Sequence, residues 1–205
     1  REDPARFARL LDDIWRSDLN LLLLAHAADR GFGARLRVDV WWDAGAASSH
    51  LALALVRFIT SSDAWRRARV RFIVVDDGGY KSEAVVGILQ RLLAEARVDA
   101  EVRVLPNART ARPRPELIRQ ESGAADLVVL GLAEEALDGA EARVAALDEL
   151  IESLGTVVLL RGAAAFRPSV TLRDERAAQE LAEAEAADAR LDLEPLRVSE
   201  LDDVV

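Results

Sequence analysis

The 205-residue chain has no cysteine and no methionine, only two histidines, and a single lysine among its cations. Without cysteine there can be no disulfide, no thiol nucleophile and no cysteine-based metal site. Without methionine the chain reads as a domain cut from a longer polypeptide rather than as a native start. Its opening Arg-Glu-Asp-Pro has none of the character of a secretory leader. Long hydrophobic runs are also missing. The longest candidate, Leu19 to Ala28, is interrupted by Asn20 and His26 and falls well short of the roughly 18 residues that a membrane span needs. With the two histidines, His26 and His50, and no Gly-x-Ser-x-Gly elbow, no catalytic set assembles on paper. Ser48-Ser49-His50 imitates a nucleophile and base in letters only, because adjacent helical residues do not face one another. The expectation is a protein that is not an enzyme.

What is present is ordinary core chemistry. Hydrophobic residues make up 51% of the chain and charged residues 31%, enough to bury one domain core. The net charge of −9 is unevenly spread: residues 173–205 carry 11 acidic and 4 basic side chains, residues 1–172 carry 25 and 23. The body is nearly neutral, which argues against nucleic acid as a partner. The expected organisation is an α/β domain over residues 1–168. A tail over residues 169–205 is rich in Ala and Glu and reads as helical or partly disordered.

Periodicity places the elements. Asp3-Pro4 reads as a cap and first helical position, with Phe7, Leu10, Leu11, Ile14 and Trp15 at helical spacing. Strands are expected at 19–25, 36–42, 70–75, 100–105, 126–130 and 156–160. Between them lie helices opened by Ser48 or Ser49, over 82–96, up to Ser122, and over 141–153. Asp76-Asp77-Gly78-Gly79 is a turn signal. Strands alternating with helices imply right-handed βαβ units, hence a doubly wound, mostly parallel sheet with helices on both faces. The apolar runs Leu21–Leu24, Ile73–Val75, Leu127–Leu130 and Val157–Leu160 suit strands buried on both sides.

The candidate site follows from that topology. In open α/β sheets ligands dock beyond the C-terminal strand ends, which points to Val40, Trp41, Trp42, Asp43, Gly45 and Gly131 as candidate ligand or interface residues. Strand alternation sends Trp41 and Trp42 to opposite faces, one into the core and the other a candidate rim or interface anchor. Asp43, Asp76 and Asp77 follow neighbouring strands, but they lack the further ligands a Mg²⁺ site would need, so no metal and no cofactor is expected. Arg66, Arg67, Arg69 and Arg71, and Arg109, Arg112 and Arg114, read as solvated surface. Contact with anionic lipid headgroups is the sharper alternative.

Three stretches carry a family resemblance. They are Asn20-Leu-Leu-Leu-Leu with Val38-Asp-Val-Trp-Trp; the helix Leu51–Ile59 with Trp65 and Ala68–Val75; and Ala125–Leu132 paired with Leu154–Gly162. Together they resemble the cytosolic C-terminal domain of prokaryotic cation–chloride cotransporters, a branch of the amino acid–polyamine–organocation superfamily. The resemblance covers about residues 17–162. It implies a universal-stress-protein-like fold on the cytoplasmic side of a membrane, a regulatory and dimerising role, and its own transmembrane domain and a second copy as partners. Electroneutral Na⁺, K⁺ and Cl⁻ symport would belong to membrane helices outside this sequence. The alternative is a free-standing stress-protein-like binder of an adenine nucleotide. Here Gly131-Leu-Ala-Glu-Glu-Ala-Leu-Asp-Gly139 stands where a phosphate loop would, and Glu134 and Glu135 would repel phosphate. That leaves at most a weak nucleotide pocket near Val40, Trp41, Asp43 and Gly131.

Overall fold

The computed structural model describes residues 4–43, 47–78, 82–132, 140–164 and 166. Gly45, Gly139 and the expected tail over residues 169–205 lie outside the described residues. The elements are α1 (Pro4–Arg16), β1 (Leu21–Ala25), β2 (Arg37–Trp41), α2 (Ala47–Thr60), β3 (Arg69–Asp76), α3 (Ser82–Ala96), β4 (Glu101–Pro106), α4 (Arg114–Ser122), β5 (Leu127–Gly131), α5 (Ala140–Glu152) and β6 (Thr156–Arg161). The strands form one six-stranded sheet in the order β1-β6-β5-β2-β3-β4. All neighbours are parallel except β1 and β6. The fold is therefore the expected mostly parallel, doubly wound α/β sheet.

Two apolar layers follow from the two-residue period of the strands. Val38, Val40 and Trp42 share one face with Phe72 and Val129, and they pack with Leu53 and Val56 of α2 and Leu89 and Leu93 of α3. Trp41, Ile73, Val128 and Val157 face the other way and pack with Leu117 and Ile118 of α4 and Leu150 of α5. α1 lies against α5 on that second side.

Two expectations need correction. Leu21–Leu24 is not a strand buried on both sides. β1 is an antiparallel edge strand, and Leu22 and Leu24 remain about half exposed, at 49% and 51%. The apolar run marked a strand, but it could not reveal that β1 stands beyond the two helices covering the α2–α3 face. The second correction concerns the start of α2. The helix begins at Ala47, so Ser48 and Ser49 sit within its first turn instead of capping it. The buried Ser49 hydroxyl donates to the Asp43 carbonyl, tying the helix start back to the end of β2.

The entry to β2 is held by Asp126, whose carboxylate accepts from the N–H groups of Ala34, Leu36 and Arg37 at 3.1, 2.7 and 3.0 Å. Gly33 is required beside it, with φ +49° and a position where a Cβ would meet Asp126 Oδ1 at 2.0 Å. β1 is anchored by Arg161, which donates to the Leu19 carbonyl and Asp18 and lies over the Trp15 ring at 5.8 Å. The expected turn after β3 is present: Gly78, at φ +92°, donates its N–H to Asp76 Oδ1 at 2.9 Å.

Candidate functional site

From β2 the chain proceeds outward to β3 and β4, then returns to place β5 on the other side of β2. The point between the C-terminal ends of β2 and β5 is therefore the topological switch point, where crossovers diverge and leave a crevice. Asp43 follows β2 and Gly131 ends β5. A Cβ at Gly131 would stand 2.9 Å from Ser48 Oγ and 3.7 Å from Asp43 Oδ2. Asp43 pairs with Arg114 at the start of α4, at 2.6 Å. The fold thus brings Asp43, Gly131, Ser48 and Arg114 to one rim, although 88 residues of sequence separate Asp43 from Gly131. Replacing Gly131 by Ala forces Ser48 or the start of α2 to shift. The expected loss is about 1–2 kcal/mol of stability in urea unfolding, as in a mildly overpacked core. An unchanged midpoint would show that the rim is looser than this geometry.

Val40, Trp41 and Trp42 are not at that rim. They are 0%, 3% and 5% exposed. The tryptophans do point to opposite faces, but neither is a rim anchor, because each is covered by its own helical layer. Trp42 meets Phe72 edge to face at 5.7 Å. The Trp41 indole N–H donates to Ser122 Oγ at 3.0 Å. Chemically, the switch point presents a carboxylate and a close-packed glycine. Asp43 would repel a phosphate there unless Arg114 screened it.

The three rim aspartates stay apart in their contacts. Asp43 faces Arg114, Asp76 accepts from the Gly78 backbone, and Asp77 accepts from the Asn107 amide at 2.6 Å. No group of three metal-ligating side chains occurs among the described residues.

The most strongly charged feature is one that the motif reading passed over. Asp39, in the middle of β2, is 0% exposed. Arg71 of β3 grips it with two bonds of 2.8 Å, and Arg37 adds bonds of 3.2 and 3.0 Å. Both guanidinium groups also donate to the Glu121 carbonyl in the last turn of α4, where the helix dipole favours cations. The Glu121 carboxylate meets Arg103 at 3.1 Å and Arg71 at 3.9 Å. Burial by itself would raise the Asp39 pKa. The hydrogen bonds from Arg71 and Arg37 outweigh it and hold the carboxyl below its ordinary value. Asp39 in turn holds the Arg71 guanidinium more firmly protonated. Arg71 is thus not part of a solvated arginine cluster, since its side chain is only 12% exposed. The available signal was Arg37-Val-Asp-Val beside Arg69-Val-Arg. These are polar positions on one face of adjacent strands, as easily read as a solvent face.

No family model matches the chain, and no curated protein matches it. Among solved structures, the chain is similar to the crystal structure of the cytoplasmic domain of a prokaryotic cation chloride cotransporter. The TM-score is 0.55 and the identity 20%, over 81% of this chain and 62% of that one. The chain therefore spans less than two thirds of that domain's length. What the two proteins share is the fold.

Proposed function

We propose that this chain is the cytosolic domain of a secondary transporter of the cation–chloride cotransporter type, acting as a regulatory and dimerising module with no catalysis of its own. The observation that carries this reading is the structural similarity over 81% of the chain. It coincides with the stretches that resemble the same family, of which Asp39-Val40-Trp41-Trp42 is the most specific. The Asp39 network and the two tryptophans give that motif a physical role: they lock β2, the central strand, to helices on both faces. A rigid central strand suits a domain that transmits force or position rather than one that opens around a substrate. The reading extends to a universal-stress-protein-like fold, a homodimer, attachment beneath its own transmembrane domain, and service to Na⁺, K⁺ and Cl⁻ symport by that domain.

The test starts with the gene. Upstream of Arg1 the reading frame should encode several apolar helices of about 20 residues each. A complete frame without them ends the transporter reading. In vesicles containing the full-length protein, deleting this domain should change the rate of chloride-dependent rubidium uptake while leaving its ion requirements intact. An unaltered rate would remove the regulatory role.

A further inference from the structure

The α2–α3 face of the sheet is left uncovered at its β1 side. α2 reaches over β5 and β6, and β1 stands beyond them at the end of the sheet. Leu22 and Leu24 pair with Leu160 and Val158, which are buried in the α2–α3 layer, yet both leucines stay half-exposed. On α2, Ser48, Leu51, Leu55 and Phe58 recur at helical spacing and share one stripe. Ser48 approaches Gly131 of β5, so this stripe turns toward the β5–β6 side of the helix. Leu51 and Leu55 are partly buried, and Phe58 is 77% exposed. The two elements thus border an apolar groove.

Aromatic rings close the lower end of that groove. His26, just after β1, meets Phe32 edge to face at 5.3 Å, and Phe32 meets Trp65 at 5.7 Å. The segments they join, residues 26–36 and 57–69, carry six arginines against two aspartates, a net charge of +4. Arg57, Arg66 and Arg67 are exposed and meet no acidic group among the described residues.

An apolar floor with a basic rim complements one stretch of this sequence. Residues 191–205 hold seven leucines and valines, five acidic side chains and one arginine, a net charge of −4. The chain also leaves the body beside the groove. After β6, the N–H groups of Ala163 and Ala164 donate to Asn20 Oδ1 at 2.8 Å and Asp18 Oδ1 at 2.9 Å, immediately ahead of β1. Residues 167–190 then supply the tether. Even at the helical rise of about 1.5 Å per residue they would cover about 36 Å, whereas the five residues of β1 span about 17 Å. Such a tether holds a segment at an effective concentration on the order of millimolar. Weak docking then suffices to fill the groove, an advantage that a second copy at micromolar concentration lacks.

We propose that residues 191–205 dock in cis on this groove. Their leucines and valines lie against Leu22, Leu24 and Phe58, and their carboxylates face Arg57, Arg66 and Arg67. Any other partner must displace this segment to reach the same face. The inference uses none of the similarity to known proteins and does not depend on the transporter reading.

The chain has no cysteine, so Ser199→Cys gives a single attachment point for a nitroxide. In the full ¹⁵N-labelled chain carrying it, amide signals of Leu22, Leu24, Phe58 and Arg66 are expected to broaden. Those of Val102 and Val104, on the opposite edge of the sheet, should not. In a mixture of nitroxide-free ¹⁵N chain with nitroxide-bearing ¹⁴N chain, all these signals should stay sharp. Leu24→Ser, and separately Phe58→Ser, should lower the ratio of docked to free segment about fivefold, as for loss of one half-buried apolar side chain. Arg66→Gln combined with Arg67→Gln should lower it about twofold at low salt, and less in about 0.5 M sodium chloride, as for screened ion pairs. Broadening in the mixture would assign the groove to a second copy, and absent or evenly spread broadening would leave the segment undocked; either result overturns the proposal. So would a broadening pattern undiminished in well-dispersed spectra of Leu24→Ser and Phe58→Ser.

Discussion

Replacing Asp39 by alanine is expected to lower folding stability by about 3–5 kcal/mol, because it strips the counter-charge from two guanidinium groups gathered over the centre of the sheet. The two arginines will not suffer equally. Arg37 is 31% exposed at its side chain and can regain water, whereas Arg71 is 12% exposed and cannot. Glu121, 3.9 Å from Arg71, offers partial compensation. The lower half of the range is therefore the better expectation. The measurement is urea unfolding at neutral pH, with Asp39→Asn as the isosteric companion; the amide preserves volume and should lose less than alanine. If Asp39→Ala unfolds within about 1 kcal/mol of the parent, the magnitude of an exposed pair, then the network is solvated in practice and the picture of a buried clamp fails.

The same carboxylate predicts an acid dependence. Its folded-state pKa is held below the ordinary value, so the unfolded chain binds the proton more readily. The stabilisation from Asp39 is complete above the ordinary carboxyl range, about pH 4. It is lost as the pH falls through that value toward the lowered folded one. In Asp39→Asn this component is gone, and stability should fall less steeply below about pH 4 than in the parent. Equal slopes in acid would mean that other carboxylates dominate the transition.

The second large effect is expected at Trp42. Its indole is 5% exposed, stacked edge to face on Phe72 within the α2–α3 layer. Truncation to alanine leaves a large cavity under two helices and should lower stability by about 3–5 kcal/mol. Trp41→Phe is the informative contrast. It keeps most of the ring volume on the α4 face but removes the donor to Ser122, for an expected loss of about 1–2 kcal/mol. Thermal or urea unfolding of both variants separates packing from hydrogen bonding. A Trp42→Ala protein no weaker than Trp41→Phe would show that this layer collapses around the gap.

Much of the architecture was readable along the chain because it rests on short-range regularities. The alternation of strands with helical stretches, the continuous apolar runs of β5 and β6, and the opposite facing of Trp41 and Trp42 all follow from periods of two and 3.6 residues. Those periods are properties of a local segment, so they survive without knowledge of its neighbours. The turn at Asp76 to Gly78 was readable for the same reason, since an aspartate bonding two residues ahead needs no distant partner.

Tertiary packing decided the rest. Leu21–Leu24 declares a strand, but whether that strand is central or marginal depends on β6 lying beside it, more than 130 residues later. Arg37 and Asp39 alternate with valines as they would on a half-solvated strand. Only the arrival of α4, carrying Glu121 and Ser122, turns that face into a buried ion network. Asp43 and Gly131 could be placed on one rim from the expected strand ends, but nothing in the sequence brought Arg114 to them. A two-residue period records which side chains share a face of a strand. What comes to cover that face, water or helix, is set by long-range packing, and that is what fixed the charges and cavities of this protein.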